Sequence, residues 1–283
     1  MKVLVTGAKG QLGADVALAL SKQDIANMGV DQSDFDIADI NAVNNTLQSY
    51  MPDAVIHCAA YTAVDKAEDE PDICRLVNED GTRNIALACK EIGAKMLYIS
   101  TDYVFHGNGD HFHLTTDSTR PMSVYGKTKL AGEKAVLETL SRAFIVRISW
   151  VFGEHGNNFV KTMLRLGKEQ DNISVVCDQI GSPTYTVDLV LLLCQMILSE
   201  KYGVYHATNE GVCSWAEFAR AIFLLADLNV AVNPILSSAY PTKATRPLNS
   251  RLDKSTLYKA GFMQLPYWQN ALRRYLANVQ LLN

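Results

Sequence analysis

Seven residues near the start of the chain, Gly7-Ala8-Lys9-Gly10-Gln11-Leu12-Gly13, constrain its fold more than any other stretch. They follow an apolar run, Lys2 to Thr6, and precede a helical pattern, Gln11 to Ser21, so three glycines sit where a strand turns directly into a helix. A turn that tight favours residues without a side chain, and it leaves the first amides of the helix free at the positive end of its dipole. Such a site holds a pyrophosphate, and it belongs to the first β-α turn of a parallel sheet. The spacing is Gly-x-x-Gly-x-x-Gly, not the commoner Gly-x-Gly-x-x-Gly.

The first half keeps this rhythm. Strands are predicted at Lys2 to Thr6, Met28 to Asp31, Ala54 to Cys58, Lys95 to Ser100 and Phe144 to Ser149, with helices at Gln11 to Ser21, Asn41 to Tyr50, Ile73 to Ile92 and Val124 to Leu140. The fold class is therefore α/β, a Rossmann-type doubly wound parallel sheet with a smaller C-terminal substrate-binding domain. Residues 1–150 are expected to form the NAD(P)-binding domain, receiving segments from 170–200, and residues 151–283 mainly the substrate-binding domain. In that second half, strands are predicted at Ile173 to Cys177 and Gly203 to Ala207. Helices are predicted at Val187 to Leu198, Ser214 to Asp227 and Trp268 to Val279, with Ser214 and Glu217 spaced as a capping box.

Several function classes are excluded at this level. A formal net charge of -4, with no basic run of five or more residues, gives no reason to expect nucleic acid as a partner. The longest apolar stretch, Leu189 to Leu198, is interrupted by Gln195 and too short to span a bilayer, and the first residues read as a strand instead of a signal peptide. No membrane partner is expected. Six cysteines (Cys58, Cys74, Cys89, Cys177, Cys194, Cys213) contain no Cys-x-x-Cys pair, the usage of a reduced, cytoplasmic protein.

The glycine turn makes Gly7, Gly10, Gln11, Leu12 and Gly13 candidate cofactor contacts. Asp31 stands eighteen residues after Gly13, where a carboxylate accepts hydrogen bonds from a ribose diol and repels a 2′-phosphate. No Arg or Lys lies between Asp31 and Tyr61 to offset that repulsion, so the coenzyme is expected to be NADPH or NADH, with NADH mildly favoured. Asp36 and Ile37 would flank the adenine, and Ala59-Ala60-Tyr61-Thr62 would leave room for the cofactor past the strand ending at Cys58.

Ser100-Thr101-Asp102-Tyr103 ends the next strand, and Tyr125 and Lys129 lie four residues apart on one face of a helix. A Ser/Thr, Tyr, Lys set in this order suits hydride transfer to a ketone. Hydride arriving at carbon drives charge onto oxygen, which a proton donor (Tyr125) and a hydrogen-bond donor (Thr101) must face. Lys129 would hold the nicotinamide ribose and, as a nearby cation, lower the phenol's pKa from about 10. Tyr125 and Lys129 are thus also cofactor contacts. Ser100 is the alternative hydroxyl, since successive strand residues point to opposite faces.

Along nearly its whole length the chain resembles the dTDP-4-dehydrorhamnose reductases, a family of extended short-chain dehydrogenase/reductase proteins. The matching segments are the glycine turn, Ala59 to Glu68 (AAYTAVDKAE), Ser100 to Phe105 (STDYVF), Val124 to Glu133 (VYGKTKLAGE), Trp150, Asn157-Asn158-Phe159, Asp178 to Thr184 (DQIGSPT) and Arg246-Pro247-Leu248-Asn249-Ser250. The resemblance implies NAD(P)H-dependent reduction of the C4 ketone of dTDP-4-dehydro-6-deoxy-L-mannose to dTDP-L-rhamnose, in nucleotide-sugar and cell-surface polysaccharide biosynthesis. It implies Tyr125 as proton donor, Lys129 as cofactor ligand, Thr101 in preference to Ser100, and substrate contacts at Thr101, Asp102, Trp150, Asn158, Gln179, Arg246 and Asn249. Trp150 would stack on a sugar or base, and Arg246 would pair with the diphosphate.

Two alternatives remain: a nucleotide-sugar epimerase of the same fold, and a non-catalytic regulatory subunit, whose relatives tend to lose part of the catalytic set kept here. A dehydratase is disfavoured, because Thr101 is followed by Asp102-Tyr103 where dehydratases carry Asp-Glu. A homodimer is compatible with the sequence. The chain departs from the family pattern at His106 and in the loop His111-Phe112-His113-Leu114-Thr115-Thr116. No carboxylate or cysteine spacing supports a metal site among these histidines, so no metal is expected.

Overall fold

The computed structural model describes residues 1–281. Strands Lys2–Thr6 (β1), Ala26–Val30 (β2), Ala54–His57 (β3), Lys95–Thr101 (β4) and Ala143–Ile148 (β5) alternate with helices Gln11–Lys22 (α1), Ile40–Tyr50 (α2), Val64–Ala67 (α3), Pro71–Arg75 (α4), Thr82–Ile92 (α5) and Val124–Thr139 (α6). Helices Phe159–Glu169 (α7) and Thr186–Ile197 (α8) follow, and a late strand, Gly203–His206, returns to the first sheet. That sheet has six strands in the order Gly203–His206, β5, β4, β3, β1, β2, and every pair is parallel. The chain leaves β1 for β2 and then crosses back to place β3 on the other flank. The carboxyl ends of β1 and β3 therefore bound the crevice where ligands of such sheets bind.

Strand side chains alternate between faces, and both faces are covered. Val3 and Val5 pack with residues of α1 and α8 on one side, while Leu4 packs with α2, α5 and α6 on the other, all three fully buried. Each such side chain contributes about 1.5–3 kcal/mol of burial, which fixes the strand register and with it the position of every residue at the carboxyl edge.

The helix expected over Ile73 to Ile92 is instead three pieces: α4, a π-helical stretch Leu76–Gly81, and α5. The wider turn carries the Asn78 side chain inward, where it is fully buried. At α6, the Ser123 hydroxyl accepts from the Gly126 amide at 3.1 Å, so the helix starts just before Tyr125.

The second half has its own core, in which Phe152, Tyr185, Phe218, Phe223, Trp268 and Tyr275 cluster. Helix Trp215–Leu225 opens with the capping box of Ser214 and Glu217. Among the elements not predicted here are α7, capped by the Asn158 side chain, and strand Ala231–Ile235, which runs parallel to Asn172–Val176. Pro234 lies within that strand, and a two-stranded ribbon tolerates it because its outer edge needs no donor. Among the described residues, no helix is long and apolar enough to cross a membrane.

Candidate active site

A single cavity of about 1670 Å³ runs along the carboxyl edge of the sheet, from the glycine turn to the second core. At one end the Gly7 φ is +67°, and a Cβ there would meet the Ala59 nitrogen at 2.7 Å. A Cβ on Gly13 would stand 2.1 Å from the Gly7 carbonyl oxygen, so glycine is required for α1 to start this close to β1. No side chain caps α1 at Gly10, and its first turn carries no acidic residue. The amides of Gln11, Leu12 and Gly13 thus lie at a helix end with nothing of the protein's own to neutralise it, which fits a pyrophosphate. Asp31, Asp36, Ile37, Ala59, Ala60, Tyr61 and Thr62 line the same end.

Asp31 has a different setting from the one expected. Its carboxylate accepts from the backbone amides of Lys9 at 2.9 Å and Gln32 at 2.8 Å, and the Lys9 ammonium donates to the Ser33 hydroxyl. A cation therefore does stand beside the ribose end. It comes from the glycine turn, outside the stretch from Asp31 to Tyr61 in which no base occurs.

Thr101, Tyr125 and Lys129 line this same cavity. The Thr101 hydroxyl donates to Asp102 Oδ1 at 3.0 Å and stands close enough to the Tyr125 phenol to lower its pKa. Ser100 turns away, donating to Glu133 Oε1 at 2.5 Å. Loss of water around the Tyr125 phenol raises its pKa, opposed by the Thr101 hydrogen bond and reinforced by Asp102 and Tyr103. Lys129 is buried; its ammonium donates to the Ile99 carbonyl at 2.7 Å and sits 4.1 Å from the centre of the Tyr98 ring. Burial lowers its pKa to about 7, with Glu133 the main opposing influence. Lys129 is not among the main influences on the phenol, so the expected lowering of its pKa does not emerge, and Tyr125 remains protonated at neutral pH.

Asp102 is also buried; its two oxygens accept from Thr101 and from Ser250 of the second half, and burial pushes its pKa up to about 6. Gln179 lines the cavity with its amide bonded to Trp215 and Ser237. Trp150 lines it too, but Trp215 stacks on one face of its ring at 3.6 Å and Gly181 lies against it. Trp215 thus occupies one face of the Trp150 ring. Arg246 reaches the cavity while bonded to Asp65 of α3 and to the Tyr103 hydroxyl at 3.0 Å, so a diphosphate would have to compete with a carboxylate for it. Asn158 and Asn249 stand outside the lining. Asn158 caps α7 and donates to Gln11, and Asn249 bonds the His111 carbonyl and Arg251.

Residues 1–281 match the family model described as RmlD substrate binding domain. The chain belongs to the RmlD substrate binding domain family. It is 40% identical over 275 residues to the spore coat polysaccharide biosynthesis protein SpsK of Bacillus subtilis, covering 97% of this chain and 96% of that one. It is 39% identical to the dTDP-4-dehydrorhamnose reductase of Escherichia coli, with 98% of this chain and 97% of the relative covered. Among solved structures, the dTDP-4-dehydrorhamnose reductase of Bacillus anthracis in complex with NADP superposes with a TM-score of 0.96 at 44% identity, covering 98% and 99% of the two chains. The UDP-glucose 4-epimerase of Thermus thermophilus, at 19% identity and a TM-score of 0.84, shares the fold.

In this RmlD-family chain, two further groups hold the site together and were missed in the sequence. Asn78 accepts from the Tyr61 amide at 2.8 Å and donates to the Tyr61 carbonyl and the Thr128 hydroxyl, tying the coenzyme-side loop to the helix of Tyr125 and Lys129. Glu133, one turn beyond Lys129, receives both Nε and Nη2 of Arg147 at 2.9 and 2.7 Å. Glu133 lies within the stretch that resembles the family, but its partner sits on the following strand.

Proposed function

We propose that this chain reduces the C4 ketone of a dTDP-linked 4-keto-6-deoxy sugar, dTDP-4-dehydro-6-deoxy-L-mannose, to dTDP-L-rhamnose with NADPH or NADH. The observation that carries this reading is that Thr101, Tyr125 and Lys129 line the same cavity as the glycine turn. The bound coenzyme supplies a hydride to the ketone carbon. Thr101 and Tyr125 face the oxygen on which charge then develops, and the phenol passes its proton to that oxygen. An alkoxide is a far stronger base than a phenolate, so a phenol kept protonated by its desolvated setting is the right donor. Thr101 has one proton, shared between Asp102 and the substrate oxygen. Lys129, anchored on the Ile99 carbonyl, offers its remaining hydrogens to the nicotinamide ribose.

The sugar nucleotide lies toward the second core, along Asp102, Gln179, Arg246 and Trp150. In this reading residues 1–150 form the coenzyme domain and residues 151–283 mainly the sugar-nucleotide domain, with α8 and Gly203–His206 given back to the first. The reaction is placed in the cytoplasm. Purified protein should oxidise NADH or NADPH only when the keto sugar nucleotide is present, with dTDP-rhamnose as product. An epimerised keto sugar without net coenzyme oxidation would overturn the reductase.

Lys9 is assigned the 2′-phosphate of NADPH, on the strength of its position beside Asp31 and Ser33. Lys9→Ala should lower kcat/KM with NADPH about tenfold while leaving NADH within about twofold, the loss of one charge-assisted contact. An unchanged NADPH to NADH ratio would remove Lys9 from coenzyme selection.

A further inference from the structure

Two imidazoles and a carboxylate converge in the loop that departs from the family pattern. His111 Nε2 and His113 Nδ1 lie 3.7 and 3.9 Å from Asp117 Oδ2, and one donor atom from each of the three lies within 4.8 Å of the others. None of the three lines the large cavity. The carboxylate escaped the sequence reading because the turn that folds Asp117 back, with its amide bonded to the Leu114 carbonyl at 3.1 Å, has no ligand-spacing signature.

Two of the three groups are held in place. The Leu114 amide donates to Asp117 Oδ2 at 2.9 Å. The His113 ring is buried and stacked on Phe105 at 4.4 Å, and its backbone is bridged to Arg251 and Asp253. His111 has an exposed side chain, set edge to face against the His113 ring at 4.8 Å, and its carbonyl accepts from the Asn249 amide. At 3.7 and 3.9 Å the imidazole-carboxylate pairs are too long for hydrogen bonds. Three groups thus converge without satisfying one another. An ion with tetrahedral bonds of about 2.0–2.2 Å needs donor atoms about 3.3–3.6 Å apart, so the two imidazole-carboxylate pairs close by a few tenths of an ångström while the exposed His111 ring moves further, toward His113.

We propose that His111, His113 and Asp117 bind one divalent transition-metal ion, clipping this loop to the Asn249–Asp253 segment. Two imidazole nitrogens select zinc and its neighbours over magnesium or calcium, which take oxygen ligands. Three protein ligands leave a position for water on the exposed side.

The full chain, stripped with EDTA and titrated with CoCl2, should develop visible d-d absorption saturating at one Co2+ per chain and lost on adding stoichiometric Zn2+. His111→Ala and Asp117→Asn alter side chains outside the core, and each should weaken Zn2+ binding by more than about tenfold. His155→Ala, which removes the imidazole beside Asp15, should bind as the native chain does. Absence of a saturable one-to-one spectrum, or native affinity in either ligand variant, overturns the site.

Discussion

Replacing Tyr125 by Phe should lower turnover of the keto sugar nucleotide by about 10²–10⁴-fold while coenzyme affinity stays within about twofold. The substitution removes one oxygen and keeps the ring, which meets Tyr103 edge to face at 5.5 Å, so the packing of α6 is retained. Thr101 remains as a hydrogen-bond donor to the developing charge but cannot supply the proton in place of the phenol. Lys129 is anchored on the Ile99 carbonyl and the Tyr98 ring, neither of which depends on Tyr125, and its hold on the ribose should therefore persist. An interaction made only in the transition state is being removed, so kcat should fall with KM little changed. Steady-state kinetics and a coenzyme titration by fluorescence separate the two quantities. Normal turnover in Tyr125→Phe would mean that another group donates the proton.

What was legible in the chain divides by the range of the forces involved. β1 and β3 read clearly because strands buried on both faces are apolar without interruption, and β1, β3, β4 and β5 lie within a residue or so of their expected bounds. The glycine turn and the Tyr125 to Lys129 spacing are local, and a helix or turn positions them whatever surrounds it. The π-helical stretch was illegible because its cause is long-range: Asn78 is drawn inward by Tyr61 and Thr128. The stacking of Trp215 on Trp150 was illegible for the same kind of reason, since the two rings come from distant segments. Lys9 was overlooked because a base was sought only after Asp31, whereas the fold lays the glycine turn alongside it.

Arg147→Met should destabilise the protein by about 3–5 kcal/mol, the cost of stranding a buried charge. Arg147 and Glu133 are 4% and 2% exposed, and the carboxylate takes two guanidinium bonds plus the Ser100 hydroxyl. Methionine fills much of the volume beside Phe105 but offers Glu133 no donor. The stranded carboxylate must either take up a proton or lean on Lys129 one turn away, whose charge it already favours. Glu133→Gln in the Arg147→Met background removes that charge and should restore a substantial part of the loss, because the penalty lies in the unpaired ion more than in the missing contact. Urea denaturation of the two single variants and the double variant completes the cycle. A double variant no more stable than Arg147→Met would place the cost in packing around Arg147, and the pair would then not be what holds β4, β5 and the Lys129 helix in register.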